Sequence, residues 1–409
     1  MGALPDQIDV AIAGAGSVGL CLALALKQAD PTLSVAVIDP RPVAKMAADD
    51  RASAIAAAAR RMLVRLNVWP DVADEAQPIE EMVITDSRLR DAVRPVFLRF
   101  LGDVEPGEPY AHMIPNDRLF PAIGRRALEA GVIELSPETV RIFDAGDAAV
   151  ELRLGSGARL KASLLVACDG VRSRLRGLAG ISTVGGAYGQ SGIVTTVRHE
   201  EPHNGCAVEH FLPAGPFAIL PLKGNRSSIV WTERTIEADR LVALDDFSFE
   251  IELARRFGTE LGDVRLDGSR SAYPLFVQLA RSFVAPRFAL AGDAAHAMHP
   301  IAGQGLNMGF RDVAALAETV VEARRIGLDI GNLGVLERYQ RWRRYDTWEM
   351  AATTDVLNRL FSNDFAPVRL ARTMGLGMVD RLPGLKRMFI REAAGLDRAS
   401  PKLLRGEAI

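Results

Sequence analysis

Residues 8–19 read IDVAIAGAGSVG, and no charged residue follows until Lys27. The run IDVAIA over residues 8–13 is apolar and rich in β-branched side chains, which suits a strand buried on both faces of a parallel sheet. Gly14-Ala15-Gly16-Ser17-Val18-Gly19 follows at once. Residues 20–28 then read as a helix, and a second strand, LSVAVI over 33–38, ends at Asp39. A G-x-G-x-x-G turn between strand and helix, with an acid closing the next strand, is the pattern of a dinucleotide-binding βαβ unit. Gly14 permits the tight turn, Gly16 lets a pyrophosphate approach the backbone, and Gly19 lets the helix pack closely on the strand. The helix N-terminus offers free N–H groups and partial positive charge to phosphates. Asp39 would accept hydrogen bonds from the ribose hydroxyls of an adenosine. Glycines that serve packing alone are the weaker alternative, and the motif does not choose between FAD and NAD. Residues 10–26 would alarm a hydropathy scan, yet Asp6 and Asp9 stand where an export signal carries basic residues. A buried strand running into a buried helix accounts for the stretch.

The chain around this unit has 409 residues, 48% hydrophobic and 24% charged, with a net charge of −2. That composition excludes a largely disordered chain, and the length calls for more than one sub-structure. The near-neutral balance leaves no footprint for nucleic acid. Cys21, Cys168 and Cys206 form no disulfide framework, C-x-x-C pair or zinc signature, which fits a reducing cytoplasm. Residues 49–61 (DDRASAIAAAARR) read as an alanine-rich helix, with Arg51 a candidate phosphate ligand or simply a solvated helix start. Residues 79–100 alternate like strands, 116–130 return to a helical period, and 160–168 read as a buried strand ending in Asp169-Gly170. Short strands and turns dominate 193–271, with 237–261 helical in part. Residues 287–291 form another buried strand that runs into Gly292-Asp293. The predicted fold is α/β. A discontinuous dinucleotide-binding domain spans 1–75, 101–185 and 285–340, a β-rich substrate domain spans 76–100 and 186–284, and a helical region covers 341–409.

The most informative stretch is residues 291–312, AGDAAHAMHPIAGQGLNMGFRD. Asp293 stands at the carboxyl edge of the sheet, where α/β ligands bind. Pro300 enforces a bend, and Gly303-Gln304-Gly305 allows close backbone approach while opening a helix from Leu306 onward. A glycine-rich helix N-terminus suits negative charge, which in a flavoprotein would be the N1/C2 edge of the reduced ring. His296 and His299 are spaced as a metal pair could be, but no third ligand is evident and no metal site is expected.

With these residues in view, the chain resembles the ubiquinone-biosynthesis hydroxylase family of class A FAD-dependent aromatic monooxygenases, of the p-hydroxybenzoate-hydroxylase fold. The glycine turn at 14–19, Asp169-Gly170 and Gly292-Asp293 match its motifs in order. The signature H-P-x-[AG]-G-Q-G-x-N-x-G-x-x-D is met by His299, Pro300, Ala302, Gly303, Gln304, Gly305, Asn307, Gly309 and Asp312. The resemblance implies a Rossmann-like, glutathione-reductase-type FAD domain with an inserted mixed sheet and a C-terminal helical tail. It implies Asp39 at the adenosine ribose, in place of the glutamate common in the wider class, and Arg51 at the pyrophosphate. It puts Asn116 near the ribityl and phosphate region, with Arg118 a competitor for that role, and Asp169 between the pyrophosphate and transient NAD(P)H. Asp293 would hold the ribityl chain and Pro300 pack by the isoalloxazine. The backbone from Gly303 through Gln304, Gly305 and Leu306 to Asn307 would cradle the pyrimidine edge.

The implied reaction is ring hydroxylation of a polyprenylated phenol or benzoquinone precursor: NAD(P)H reduces the flavin, O₂ adds at C4a, and the hydroperoxide transfers oxygen. The hard chemistry belongs to the cofactor, and no catalytic base is nominated by the sequence. Residues 365–391 interleave Arg369, Arg372, Arg381, Lys386, Arg387 and Arg391 with apolar side chains against the single acid Asp380. Such a segment suits an anionic bilayer on the inner face of the cytoplasmic membrane or a quinone-synthesis enzyme complex; packing on the protein itself is the equal alternative. A NAD-dependent dehydrogenase would leave 291–312 without a role. A disulfide reductase would need a cysteine pair, and a halogenase a W-x-W-x-I-P segment. A hydroxylase of soluble aromatics and a non-catalytic flavin-binding scaffold remain as alternatives.

Overall fold

A computed structural model of the chain describes residues 6–45, 49–87, 94–101, 103–299, 303–361, 394–396 and 400–409. The first sheet grows from the strand Gln7–Ala13, which pairs in parallel with Val35–Ile38 on one side and Arg159–Ala167 on the other. Ile133–Leu135 extends it beyond Val35–Ile38. The outer edge of Arg159–Ala167 forks. Its first residues pair antiparallel with Val150–Leu154, and its last three pair in parallel with Phe288–Leu290. Ala13, Ile38, Ala167 and Leu290 therefore end on one carboxyl edge, although they come from distant parts of the chain. Near-continuous Val, Ile, Leu and Ala in these strands is what burial on both faces requires.

The helix Ser17–Ala29 buries every residue from Gly19 to Leu26. It is apolar all round because it lies between the sheet and two further helices, Asn116–Glu129 and Gln304–Arg325. Gly309 and Gly292 admit Val18: a Cβ on Gly309 would stand 2.6 Å from its Cγ2, so the signature glycine at 309 is a helix-crossing residue.

The second sheet runs His296–Ala297, Ser271–Ala280, Thr183–His199, Arg226–Arg234, Gly215–Leu222, Cys206–Leu212, Glu81–Asp86, Val96–Leu101, with Val264–Leu266 beside Thr183–His199. All pairs are antiparallel except Cys206–Leu212 with Glu81–Asp86. The period-2 alternation of its strands sorts two faces. Ile193, Phe217, Ile219, Ile229 and Trp231 form a core under the helices Thr235–Val242 and Asp246–Phe257. Their neighbours Val194, Ala218, Leu220, Val230 and Thr232 face the opposite way, into a cavity.

One expectation is overturned. Residues 52–56 are not the start of an alanine-rich helix but a strand, Ala52–Ala56, paired with Ala111–Pro115, and the helix begins only at Ala57 and runs to Arg65. Alanine's helical preference is a few tenths of a kcal/mol per residue, too little to resist backbone pairing with a neighbouring strand. The strand's other partner is a side chain: Asn307 accepts from Ala56 N at 2.9 Å and donates to Ala54 O at 2.8 Å. The division expected at residue 341 falls inside a single helix, Leu333–Phe361. Tyr339 of that helix donates to Leu290 O in the first sheet, and Asn358 donates to Gln190 in the second.

Candidate functional site

Every turn singled out in the sequence leaves the carboxyl edge of the first sheet, and these turns line a cavity of about 990 Å³ whose far wall is the second sheet. At the first turn Gly14 has φ +105°, and a Cβ there would lie 2.3 Å from Cys168 O. A Cβ on Gly19 would lie 2.0 Å from Gly14 O, so the helix touches the turn backbone to backbone. Gly16 differs: its Cβ direction meets nothing within 4 Å, and it caps a helix that has neither a side-chain cap nor an acid in its first turn. Uncapped N–H groups beside open space are what a phosphate needs.

Asp39 braces this turn. One carboxylate oxygen accepts from Ala15 N at 2.9 Å and the other from Arg41 N at 2.8 Å. Each oxygen keeps a lone pair for a ribose hydroxyl. Arg41, which the sequence reading passed over, lines the cavity itself. Arg51 is half-exposed, held by Asp49 through two bonds of 2.8 and 2.7 Å and set over the Tyr273 ring at 5.2 Å. Asn116 is buried. It donates to Asp49 at 3.1 Å and accepts from Ser53 Oγ at 2.7 Å, while its N–H bonds Arg51 O. Asp49 and Ser53 are therefore part of the same polar group, invisible beforehand because 49–61 read as helix. Arg118 is not among the residues that line the cavity.

At the third turn Gly170 has φ +80° and an open Cβ direction. Asp169 accepts from Leu175 N at 3.4 Å with one oxygen, while its buried Oδ1 has no partner. An orphaned buried acceptor is a costly feature, and a ligand hydroxyl would relieve it. Arg176 ties this turn to the next by donating to Ala294 O and Val171 O.

Asp293 opens onto the cavity, yet protein surrounds its carboxyl, and that burial raises its pKa; His296 and Arg51 pull the other way. Beneath it lies the last acid of the signature. Asp312 accepts from Gly292 N at 2.8 Å, from His296 Nε2 at 2.6 Å and from Arg343 Nε at 2.7 Å, all buried. Burial opposes its charge, but His296 and Arg343 overcome that and hold the carboxyl below the ordinary range. Asp312 thereby pins the Gly292-Asp293 turn and the long C-terminal helix to one point. His296 is thus committed to a carboxylate. Among the described residues no cluster of His, Cys, Asp or Glu could hold a metal. Both ring nitrogens of His299 are buried without partners, and burial pushes its pKa down to about 4, so the ring is neutral.

Pro300 lies outside the described residues, as does the basic segment 365–391. Gly303 takes φ +63° against Ala54 and starts the helix Gln304–Arg325 with no side-chain cap. Gly305 is open in its Cβ direction, and Gln304, Leu306 and Asn307 line the cavity. The Asn307 side chain is spent on the strand Ala52–Ala56, which leaves its backbone for a ligand. Two uncapped helix N-termini, two arginines, an orphaned carboxylate and three glycines without neighbours suit the two phosphates, ribityl chain and anionic ring edge of FAD. The sequence reading also missed Glu209 and Tyr110 on the far wall. A lone acid within an alternating strand was the only available hint, and it means nothing until the face is known.

A family model described as FAD binding domain matches residues 7–353. A ubiquinone hydroxylase of Rhodospirillum rubrum, UbiL, is 47% identical over 99% of this chain and 94% of its own. The 3-demethoxyubiquinol 3-hydroxylase of Escherichia coli K12 is 35% identical over 95% of this chain and 98% of its own. Among solved structures, p-nitrophenol 4-monooxygenase from Pseudomonas putida DLL-E4 superposes with a TM-score of 0.78, covering 97% of this chain and all of that one, at 21% identity. At that identity the likeness is one of fold.

Proposed function

Because this chain belongs to the ubiquinone-biosynthesis hydroxylase family of FAD-dependent aromatic monooxygenases, we propose that it hydroxylates the ring of a polyprenylated phenol or benzoquinone precursor of ubiquinone, with NAD(P)H as electron donor and O₂ as co-substrate. Bound FAD supplies the redox chemistry and the activated oxygen; the chain supplies position, charge and dryness. Gly14, Gly16 and Gly19 with the helix N-terminus would take the pyrophosphate, aided by Arg41 and Arg51, and Asp39 the adenosine ribose. Asn116 and Asp293 would hold the ribityl chain, Asp169 would stand between the pyrophosphate and NAD(P)H, and the backbone from Gly303 to Asn307 would stabilise negative charge on the pyrimidine edge. The first sheet would be the cofactor unit and the second the substrate unit.

The observation that carries the reading is the cavity itself. One wall is built of phosphate-type glycine turns and the other of an apolar sheet face, with Val194, Ala218, Leu220 and Val230 where a hydrophobic ring would lie. The quinone profile of cells lacking the gene tests it. An under-hydroxylated polyprenyl phenol should accumulate and be cleared by the wild-type chain but not by Asp293→Ala; an unchanged quinone pool would refute the substrate class. No helix among the described residues is long and apolar enough to cross a membrane. A greasy substrate would be met at the bilayer surface, and residues 365–391 are the proposed contact. A chain ending at Asn363 that still sediments with anionic vesicles as the full chain does would refute that.

A further inference from the structure

The far wall of the cavity is apolar except at a few points, and one of them is chemically out of place. Glu209 sits in the strand Cys206–Leu212, where it pairs with Ala218 on one side and Ile84 on the other. Its neighbour Val208 packs against the helix-covered core, so alternation turns Glu209 to the cavity. Ala218 beside it is too small to cover it. Only 7% of the residue is exposed, and its carboxyl has no hydrogen-bond or ion-pair partner among the described residues. Around it the cavity wall and the apolar cluster behind it share Ile79, Met82, Ala111 and Leu220. Tyr110, just before the strand Ala111–Pro115, lines the same cavity and packs in one apolar cluster with Ala207 and Leu222 of the second sheet. It is buried, its hydroxyl has no partner, and it feels the charge of Glu209. A buried hydroxyl without a partner, and a carboxyl whose open side is the cavity, cost stability that a ligand would relieve.

We propose that Glu209 is a catalytic residue: its carboxylate accepts the ring hydroxyl of the substrate and takes that proton as the ring is attacked, with Tyr110 as the positioning contact on the same edge. The inference rests on the reading of the substrate as a phenol. The phenolic O–H bond breaks, an O–H bond forms on Glu209, and the freed electron pair enters the ring, raising its nucleophilicity toward the oxygen delivered from O₂ at the flavin. After oxygen transfer the attacked ring carbon loses its proton to water, and the phenolic oxygen recovers a proton from Glu209. Burial pushes the carboxyl up to about 7, which narrows the gap to a phenol and places the group near working pH.

The test uses FAD-loaded protein with 2-geranylphenol as probe, comparing wild type with Glu209→Gln, Glu209→Asp and Tyr110→Phe. In wild type, kcat/KM should rise with pH and level near 7. Glu209→Gln should abolish that bend and lower kcat by about 100-fold or more. Tyr110→Phe should raise KM and leave the bend in place. If Glu209→Gln fails to hold FAD, Glu209→Asp serves instead, with a displaced bend expected. The same bend and the same kcat in wild type and Glu209→Gln would overturn the assignment. A wild type that neither binds nor oxidises prenylated phenols would overturn the substrate reading and this proposal with it.

Discussion

Glu209→Gln has a consequence for stability that is independent of turnover. In the folded chain burial holds this carboxyl at about 7, against an ordinary value of 4.5. A raised carboxyl pKa means that the folded state keeps a proton the unfolded state has lost. Stability therefore falls as pH rises from 4.5 to 7 and is level outside that window. Linkage for these two values makes ionisable Glu209 cost about 1 kcal/mol at pH 5 and about 3 kcal/mol at pH 8. The amide of Glu209→Gln does not titrate, so the variant should gain about 2–3 kcal/mol on wild type between those two pH values. Any fixed cost of an unsatisfied amide cancels in the difference. With an unfolding entropy of about 2 cal/mol/K per residue, a chain of this length should show the gain as a relative Tm increase of about 3 °C. Differential scanning calorimetry of both proteins at pH 5 and 8 reads it. A Tm difference that stays constant across the window would mean that Glu209 has an ordinary pKa, and would refute the argument from burial.

Four further outcomes follow from the geometry. Gly19→Ala puts a Cβ 2.0 Å from Gly14 O and should abolish soluble flavin-loaded protein, whereas Gly16→Ala meets nothing and should fold within about 0.5 kcal/mol of wild type. FAD titration of the Gly16 variant should still show affinity reduced at least about tenfold, because the methyl group occupies the phosphate approach. Asn307→Ala leaves Ala56 N and Ala54 O without partners and should cost about 2–4 kcal/mol by denaturant unfolding, with faster FAD release. Asp312→Asn takes one of two carboxylates from buried Arg343, which keeps Asp346, and weakens the acceptor of Gly292 N and His296, and should cost about 2–4 kcal/mol, whereas Asp30→Asn, on a part-exposed pair with Arg324, which keeps Asp9, should cost about 1 kcal/mol.

The first βαβ unit was legible because its reasons are local. Buried strands must be apolar, a turn at φ +105° must be glycine, and both facts are written within residues 8–39. The helix that Gly303-Gln304-Gly305 opens was legible for the same reason, although it starts at Gln304 rather than at Leu306. The stretch 52–56 was misread because its structure is decided elsewhere: Ala111–Pro115 and the Asn307 side chain supply backbone partners from remote sequence, and four small residues with Ile55 carry no helical preference strong enough to contradict them.

What the sequence determined by itself was the class of fold and the glycine turns at the carboxyl edge of the first sheet, since glycine positions and strand composition are constraints on neighbours along the chain. Only the tertiary structure decided what faces the ligand from across the cavity. Glu209 and Tyr110 reach the cavity through the pairing of Cys206–Leu212 with Glu81–Asp86 and of Ala111–Pro115 with Ala52–Ala56. Which face of a strand is buried depends on what packs against it, and that is a property of the assembled sheet rather than of any residue's neighbours in sequence.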